Sequence, residues 1–204
     1  MGKIKLYKFR ELTTCQHFYR TIDILEKNEF YCSKFYEMND PMEGVYISTD
    51  QSKIDEIFNE KDSKRICSFS NKKGFENLAM WGYYTNGFKG IAIEIEVNDE
   101  DVKEVKYRCN IPITNDIEEI LTTKLKCWEH ESEYRFISNN DIKNQKIGEI
   151  TKVYFGLPYE NLINSKNIVS KNSIIQDYKK YKDKLKEFLQ NKKIDFCDFE
   201  INLD

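Results

Sequence analysis

Two glutamates and an arginine recur at every second residue in one segment of the chain. These are Glu131, Glu133 and Arg135, and the aromatic residues Tyr134 and Phe136 alternate with them. Because side chains on a β-strand alternate between its faces, the three charged residues are predicted to share one face of a strand. Two carboxylates at this spacing repel each other, and a neighbouring guanidinium can keep one of them ionised. The pattern indicates acid-base or electrostatic chemistry, or a solvated strand face with an ion pair.

Two earlier segments have the alternation of β-strands and carry polar residues that such a site needs. Lys8 and Arg10 follow Leu6 on one face of the first strand, and Ser68 and Ser70 recur in the second. Arginine is the side chain best suited to bind an anion through two hydrogen bonds, so Arg10 is a candidate ligand. The serines are either a polar strand face or hydrogen-bond partners of a carboxylate.

The order of predicted elements favours an α+β fold. Ile91, Ile93 and Ile95 share one face of the clearest strand, and the segment 102–108 is predicted to pair with it as a hairpin. Short strands and short helices follow one another irregularly, which favours a mixed, mostly antiparallel and split sheet over a doubly wound one. We predict a single domain over residues 1–204, with a core at 3–156. A C-terminal amphipathic helix and an edge strand are expected within 157–204.

The composition limits the classes of function. The 204 residues are 40% hydrophobic and 33% charged, which is typical of a folded protein with a charged surface. A net charge of −3 gives no general attraction to nucleic acid. Because no apolar leader or run of membrane-spanning length occurs, we expect a cytoplasmic protein that does not enter a membrane. The six cysteines and two histidines lack metal-ligand spacing, so we expect reduced thiols and no bound metal.

Six short motifs combine aromatic, polar and acidic residues. They are found at 7–10, 39–43, 67–70, 80–84, 90–94 and 128–135. Together they resemble a bacterial and phage family labelled domain of unknown function 2971, whose label assigns no activity. Asn39 and Asp40 begin the second motif and are further site candidates, although an Asx-type turn is the simpler interpretation of Asn-Asp-Pro.

Three strand-borne elements occur in a characteristic order. They are Tyr7-Lys8 with Arg10 two residues later, Ser68-Phe69-Ser70, and Glu131-Ser132-Glu133. This order is similar to that of the ADP-ribosyltransferase fold, which has an aromatic residue followed by Arg or His, then Ser-x-Ser, then Glu/Gln-x-Glu. The chain departs from the pattern at Lys8, where Arg or His is usual, and at Phe69, where Thr is usual.

The second resemblance implies that NAD is the substrate and that its nicotinamide–ribose bond is broken. Glu133 would accept a hydrogen bond from a ribose hydroxyl and stabilise the oxocarbenium-like transition state. Glu131 would orient or deprotonate the acceptor, and Arg135 would orient one of the two acids. The remaining implied contacts are Lys8 or Arg10 with the pyrophosphate, Ser68 or Ser70 with Glu133, and Trp81 and Tyr84 with the nicotinamide ring.

The resemblance therefore implies an NAD-using transferase or an NAD glycohydrolase, of the kind found in phage–host conflict or toxin systems. Its acceptor would be an unknown protein or nucleic acid. Two alternatives stay open. One is a metal-dependent hydrolase or nuclease with Asp40, Glu94, Glu131 and Glu133 as oxygen ligands. The other is a non-enzymatic binding or regulatory module with an aromatic cleft.

Overall fold

The computed structural model describes residues 2–159 and 165–200. The strands are β1 (Lys3–Glu11), β2 (Phe30–Tyr31), β3 (Arg65–Ser70), β4 (Gly90–Asn98), β5 (Lys103–Glu104), β6 (Lys106–Arg108), β7 (Thr123–Leu125), β8 (Glu133–Ser138), β9 (Asn144–Gln145), β10 (Glu149–Phe155) and β11 (Asp195–Asp198). The α-helices are α1 (Cys15–Lys27), α2 (Ile54–Ser63), α3 (Lys72–Glu76), α4 (Leu78–Tyr84), α5 (Ile117–Leu121), α6 (Ser165–Lys171) and α7 (Ser173–Lys192). Short 3-10 helices cover Phe35–Glu37, Gln51–Lys53, Asp99–Asp101 and Lys126–Glu131.

One seven-stranded sheet forms the centre of the fold, in the order β11-β10-β4-β1-β3-β8-β5. Its pairs are antiparallel except for β10 with β11. The α+β class with a mixed, mostly antiparallel sheet is confirmed. The predicted hairpin of β4 with 102–108 is wrong, because β1 and β10 occupy both edges of β4. The exposed, charged β5 lies instead at the edge of the sheet beside β8, where a polar strand is tolerated.

Helices α1 and α7 cover one face of this sheet. The Thr14 hydroxyl accepts the amide of His17 at 3.1 Å and begins α1, and Asn28, in the left-handed region, ends it. Helix α7, which is the predicted C-terminal amphipathic helix, buries Tyr178 and Leu185 in the same core as the sheet. The edge strand expected within 157–204 is β11, and residues 201–204 lie outside the described residues. The single-domain interpretation stays a prediction.

The sheet is split between β1 and β3. Along its whole length β1 pairs with β4, but it meets β3 only where Tyr7 is opposite Ser70. Beyond that pair the segment after β2 takes the place of β1, since Ser33 and Ile66 exchange two backbone hydrogen bonds of 2.8 Å. The opening between β1 and β3 is where the polar residues of the predicted site meet.

Among residues 2–159 and 165–200, none of the helices combines the length and the apolar character needed to cross a bilayer.

Candidate active site

A cavity of about 290 Å³ lies in the opening between β1 and β3. Most of the predicted site residues line it, namely Lys8, Arg10, Asn39, Ser68, Ser70, Tyr84, Glu131 and Glu133. Ile24 and Phe30 line it on the side of α1, and Met80 lines it on the side of α4. The cavity is therefore reached from both faces of the sheet.

Strand register places the cations and the acids on opposite faces. Ser68 and Ser70 lie opposite Arg135 and Glu133, so these side chains share one face. Because Tyr7 is opposite Ser70, Lys8 projects from the other face of the sheet. It reaches the cavity because the strands have separated, and its Nζ donates to the Ser68 carbonyl at 2.8 Å. The cations and the acids therefore project from opposite faces of the sheet. They line one cavity because the gap between β1 and β3 is open to both faces.

Glu133 is a buried carboxylate held by two cations. Its Oε1 accepts from Arg135 Nε at 2.7 Å, and its Oε2 lies 3.1 Å from both Arg135 Nη2 and Lys124 Nζ. Burial alone would raise the pKa of Glu133, but the attraction of Arg135 and Lys124 outweighs it and lowers the pKa to about 2. The side chain is consequently an anion at neutral pH and a poor general base. Its chemistry is to stabilise positive charge or to accept a hydrogen bond.

Glu131 reaches the same lysine from outside the strand. It ends the 3-10 helix Lys126–Glu131, and Ser132 in the left-handed region (φ 44°) separates it from β8. The prediction that Glu131 and Glu133 share a strand is therefore wrong. The turn at Ser132 brings Glu131 Oε2 within 2.5 Å of Lys124 Nζ, and Glu131 Oε1 accepts the Tyr84 hydroxyl. Burial and the charge of Glu131 raise the pKa of Tyr84, so the phenol stays protonated and donates this bond.

Arg135 does not line the cavity but lies behind Glu133, fully buried. Its Nη1 and Nη2 bind Glu43 at 2.6 and 2.8 Å, and Nη1 also donates to the Leu121 carbonyl at 2.5 Å. Burial is the main cause that raises the pKa of Glu43. Arg135 is thus a positioning residue that fixes the orientation of Glu133.

Glu43 and Lys124 also belong to this site, although neither was among the residues predicted from the sequence. Glu43 ends the second of the six motifs, which was the one available signal, and no pattern marked Lys124. Together with Glu131, Glu133 and Arg135 they form a network of three carboxylates and two cations. With one more carboxylate than cations, this side of the cavity is negative, which suits a ligand with a positive group.

The cations on the other side have no carboxylate partner among the described residues. Lys8 Nζ contacts the Ser68 carbonyl and lies 5.6 Å from the centre of the Phe69 ring. Arg10 Nε is buried without a hydrogen-bond partner, and burial together with the nearby Arg20 lowers the pKa of Arg10. A buried cation without an anion is costly, and a bound anionic ligand would remove that cost.

The two serines, one of which was predicted to hydrogen-bond Glu133, lie at different distances from the opening between β1 and β3. The Ser68 hydroxyl is close enough to Glu133 to help lower its pKa, yet it forms no hydrogen bond of ordinary geometry. Ser70 is buried at the single pair that joins β1 to β3. Ser68 therefore offers a free polar group to the cavity, whereas Ser70 marks the point where the opening begins.

Trp81 and Asp40 do not belong to the cavity lining. Trp81 is 0% exposed, its Nε1 donates to the Phe75 carbonyl at 2.9 Å, and its ring lies 4.4 Å from that of Phe199. The prediction that Trp81 stacks on a ligand is wrong, because aromatic packing holds it in the core. Asp40 accepts the amide of Met42 at 2.9 Å, which is the Asx-type turn. Asn39, next to it, does line the cavity.

The four carboxylates considered as metal ligands do not gather. Glu94 lies on β4, where it binds Lys5 at 2.9 Å, Thr151 at 2.7 Å and Tyr154 at 3.0 Å. Asp40 caps its turn, and only Glu131 and Glu133 reach the cavity. Within 2–159 and 165–200 no group of three or more His, Cys, Asp and Glu side chains is arranged to hold a metal ion.

No family model, curated protein or solved structure matches this chain. Both resemblances of the sequence stay predictions.

Proposed function

We propose that the cavity binds NAD and that the protein breaks the nicotinamide–ribose bond, as an ADP-ribosyltransferase or an NAD glycohydrolase. One observation carries this proposal. Glu133, a carboxylate that is anionic at neutral pH, lines the same cavity as Lys8 and Arg10, two cations that have no carboxylate partner in the part of the chain that the structure describes. NAD has the matching distribution of charge, with a positive nicotinamide ring and a negative pyrophosphate.

The free donors and the space available support the fit. Arg10 Nε and Ser68 Oγ are buried polar atoms without partners, and the pyrophosphate and ribose supply acceptors and hydroxyls for such groups. The cavity is near the lower limit of ligand pockets, about 300 Å³, so it encloses only part of NAD. An adjoining groove of about 490 Å³ shares Arg10, Ile24 and Tyr31 with it and can accept the adenosine end.

The residues then divide the chemical work. Glu133 accepts a hydrogen bond from a ribose hydroxyl and stabilises the positive charge that grows on the ribose as the bond breaks. Nicotinamide leaves with the bonding electron pair. Glu131, held by Lys124 and Tyr84, orients the attacking acceptor or water and takes part in removing its proton. Arg135 and Glu43 keep Glu133 in position and do not contact the substrate.

A protein or nucleic acid that accepts ADP-ribose, and a setting in phage–host conflict or a toxin system, belong to the same proposal. Water as the acceptor gives the glycohydrolase.

A second candidate is a non-enzymatic module that binds a nucleotide. It is favoured by the fact that both oxygens of Glu133 and both oxygens of Glu131 already have partners within the protein. Acids that are fully engaged can serve a structural network instead of a reaction.

The test combines binding and turnover. Isothermal titration of the purified protein with NAD measures affinity, and chromatography measures nicotinamide release, alone and with labelled NAD plus cell protein or nucleic acid. We expect saturable binding and nicotinamide release, with release lost in Glu133→Gln and kept in the control Glu96→Gln, whose partner Lys3 is on the surface. Binding without release would favour the binding module. Absence of NAD binding would overturn the proposal.

A further inference from the structure

The two buried cysteines, Cys32 and Cys67, lie directly opposite each other. Ser33 and Ile66 are paired in antiparallel register and exchange both backbone hydrogen bonds at 2.8 Å. The next pair in that register is Cys32 with Cys67. Because Cys32 donates its amide to the Lys143 carbonyl at 2.6 Å, on the other side of its strand, this is a non-hydrogen-bonded pair.

Such a pair has the spacing that a disulfide needs. The Cα atoms of a non-hydrogen-bonded antiparallel pair are about 4.5 Å apart, which falls within the range of about 4.4–6.8 Å seen across disulfides. Both residues are free thiols in this structure, and they are 0% and 1% exposed. The bridge can therefore form without a large movement of the backbone.

We propose that Cys32 and Cys67 form an oxidative modification site, at which a peroxide converts the two thiols into an intramolecular disulfide. This inference does not depend on the proposed function. It rests on the register of the two segments and on the packing of both cysteines in the same core cluster.

The step begins at Cys67. Burial would raise the pKa of its thiol, but the neighbouring Cys32 thiol and the charge of Lys8 outweigh burial and lower the pKa, which favours the reactive thiolate. The thiolate attacks one peroxide oxygen, the O–O bond breaks, and hydroxide leaves, which gives a sulfenic acid. The Cys32 sulfur then attacks the Cys67 sulfur and displaces hydroxide, which leaves as water with the Cys32 proton. Two thiols are oxidised and one hydrogen peroxide is reduced to two waters.

The position of the bridge gives it an effect on the cavity. Tyr31 and Ser33, on both sides of Cys32, line the cavity, and so do Ile66 and Ser68 on both sides of Cys67. The bond would tie these two walls together. Because both thiols are buried, we expect a small peroxide to reach them and bulky disulfide reagents not to reach them.

Peptide mapping of the intact, purified protein tests the proposal. After treatment with hydrogen peroxide the protein is unfolded, free thiols are alkylated, and the chain is digested with trypsin. Cleavage after Lys and Arg places Cys32 in peptide 28–34 and Cys67 in peptide 66–72, each with one cysteine. We expect these two peptides to appear linked, with a loss of two hydrogens, and to separate on reduction with dithiothreitol. The midpoint of thermal unfolding should rise on oxidation and return on reduction.

Two variants serve as controls. Cys67→Ser should give no linked peptide, whereas Cys127→Ser, which removes an exposed thiol, should still give it. The proposal is overturned if the wild type retains both Cys32 and Cys67 as alkylated thiols at a peroxide dose that oxidises Cys127 completely. It is equally overturned if Cys67 becomes a sulfinic acid or pairs with another cysteine. Because the wild-type map decides the matter, a variant that fails to fold does not affect the test.

Discussion

Replacement of Glu133 by Gln separates its two roles, in the ion network and at the cavity. The amide keeps the shape of the side chain but removes its charge. Arg135 retains two bonds to Glu43 and one to the Leu121 carbonyl, and Lys124 retains its bond to Glu131. Neither cation loses its last carboxylate. We therefore expect Glu133→Gln to fold.

The pKa of Glu133 gives the size of the expected loss. Lowering the pKa of a carboxyl from 4.5 to about 2 corresponds to about 3 kcal/mol of stabilisation. Loss of hydrogen bonds between charged groups costs about 1.5–3 kcal/mol each, and the amide keeps some of them. Together these values predict that Glu133→Gln lowers the free energy of unfolding by about 2–3 kcal/mol. In contrast, Arg135→Met leaves Glu43 and Glu133 buried with only Lys124 and should cost about 3–5 kcal/mol.

Urea unfolding followed by circular dichroism measures both losses, with Glu96→Gln as the surface control. The same samples are assayed for nicotinamide release, where Glu133→Gln should lower kcat by about 10²-fold or more with little change in NAD affinity. The reasoning is refuted if Glu133→Gln is as unstable as Arg135→Met, or if a well-folded Glu133→Gln turns over NAD at the wild-type rate.

Three further predictions follow from the same contacts. Arg10→Met should raise the free energy of unfolding by about 1 kcal/mol, because it removes a partly buried cation whose Nε has no hydrogen-bond partner among the described residues. The same change should weaken NAD binding in calorimetry, and a destabilised variant with unchanged affinity would contradict this. Trp81→Phe should lower the free energy of unfolding by about 1–3 kcal/mol, because the hydrogen bond to the Phe75 carbonyl and part of the core volume are lost, and NAD affinity should not change. If NAD binding were lost while the melting temperature stayed constant, Trp81 would instead stack on the ligand. The pKa of Glu133 is lower in the folded protein than its ordinary value of 4.5, which applies to the unfolded chain. The ionised side chain therefore contributes its full stabilisation of the fold above pH 4.5, and this contribution is lost as the pH falls toward 2. Acid titration of unfolding should thus be shallower in Glu133→Gln than in the wild type, and identical slopes would argue against the lowered pKa.

Local patterns in the sequence predicted those parts of the site that depend on one strand or helix. Alternation placed Ser68 and Glu133 on strands, and helical spacing placed Tyr84 on a helix that faces the cavity. Trp81 lies on the same helix, one turn before Tyr84, but it is buried because aromatic residues from distant segments, Phe9 and Phe199, pack against it. Periodicity alone could not distinguish these two positions.

Features of the site that depend on contacts between residues far apart in the chain could not be predicted from local sequence patterns. Glu43 and Arg135 are paired across 92 positions, and no local pattern reports such a contact. Ser132 adopts the left-handed conformation, so strand β8 begins only at Glu133 and does not include Glu131. A serine gives no strong sequence signal for that conformation. The opening between β1 and β3 results from competition between β1 and the segment around Ser33 for the same strand edge. Because β1 and β3 separate there, Lys8 can reach the cavity from the opposite face of the sheet.

We propose that NAD lies in this opening with its two charged ends on the two sides of the cavity. A crystal structure of Glu133→Gln with NAD tests it most directly, because this variant is expected to bind NAD without consuming it. We predict the nicotinamide riboside beside residue 133 and Tyr84, and the pyrophosphate in contact with Lys8 and Arg10. NAD bound at another surface, or bound here with its pyrophosphate away from both cations, would contradict the account.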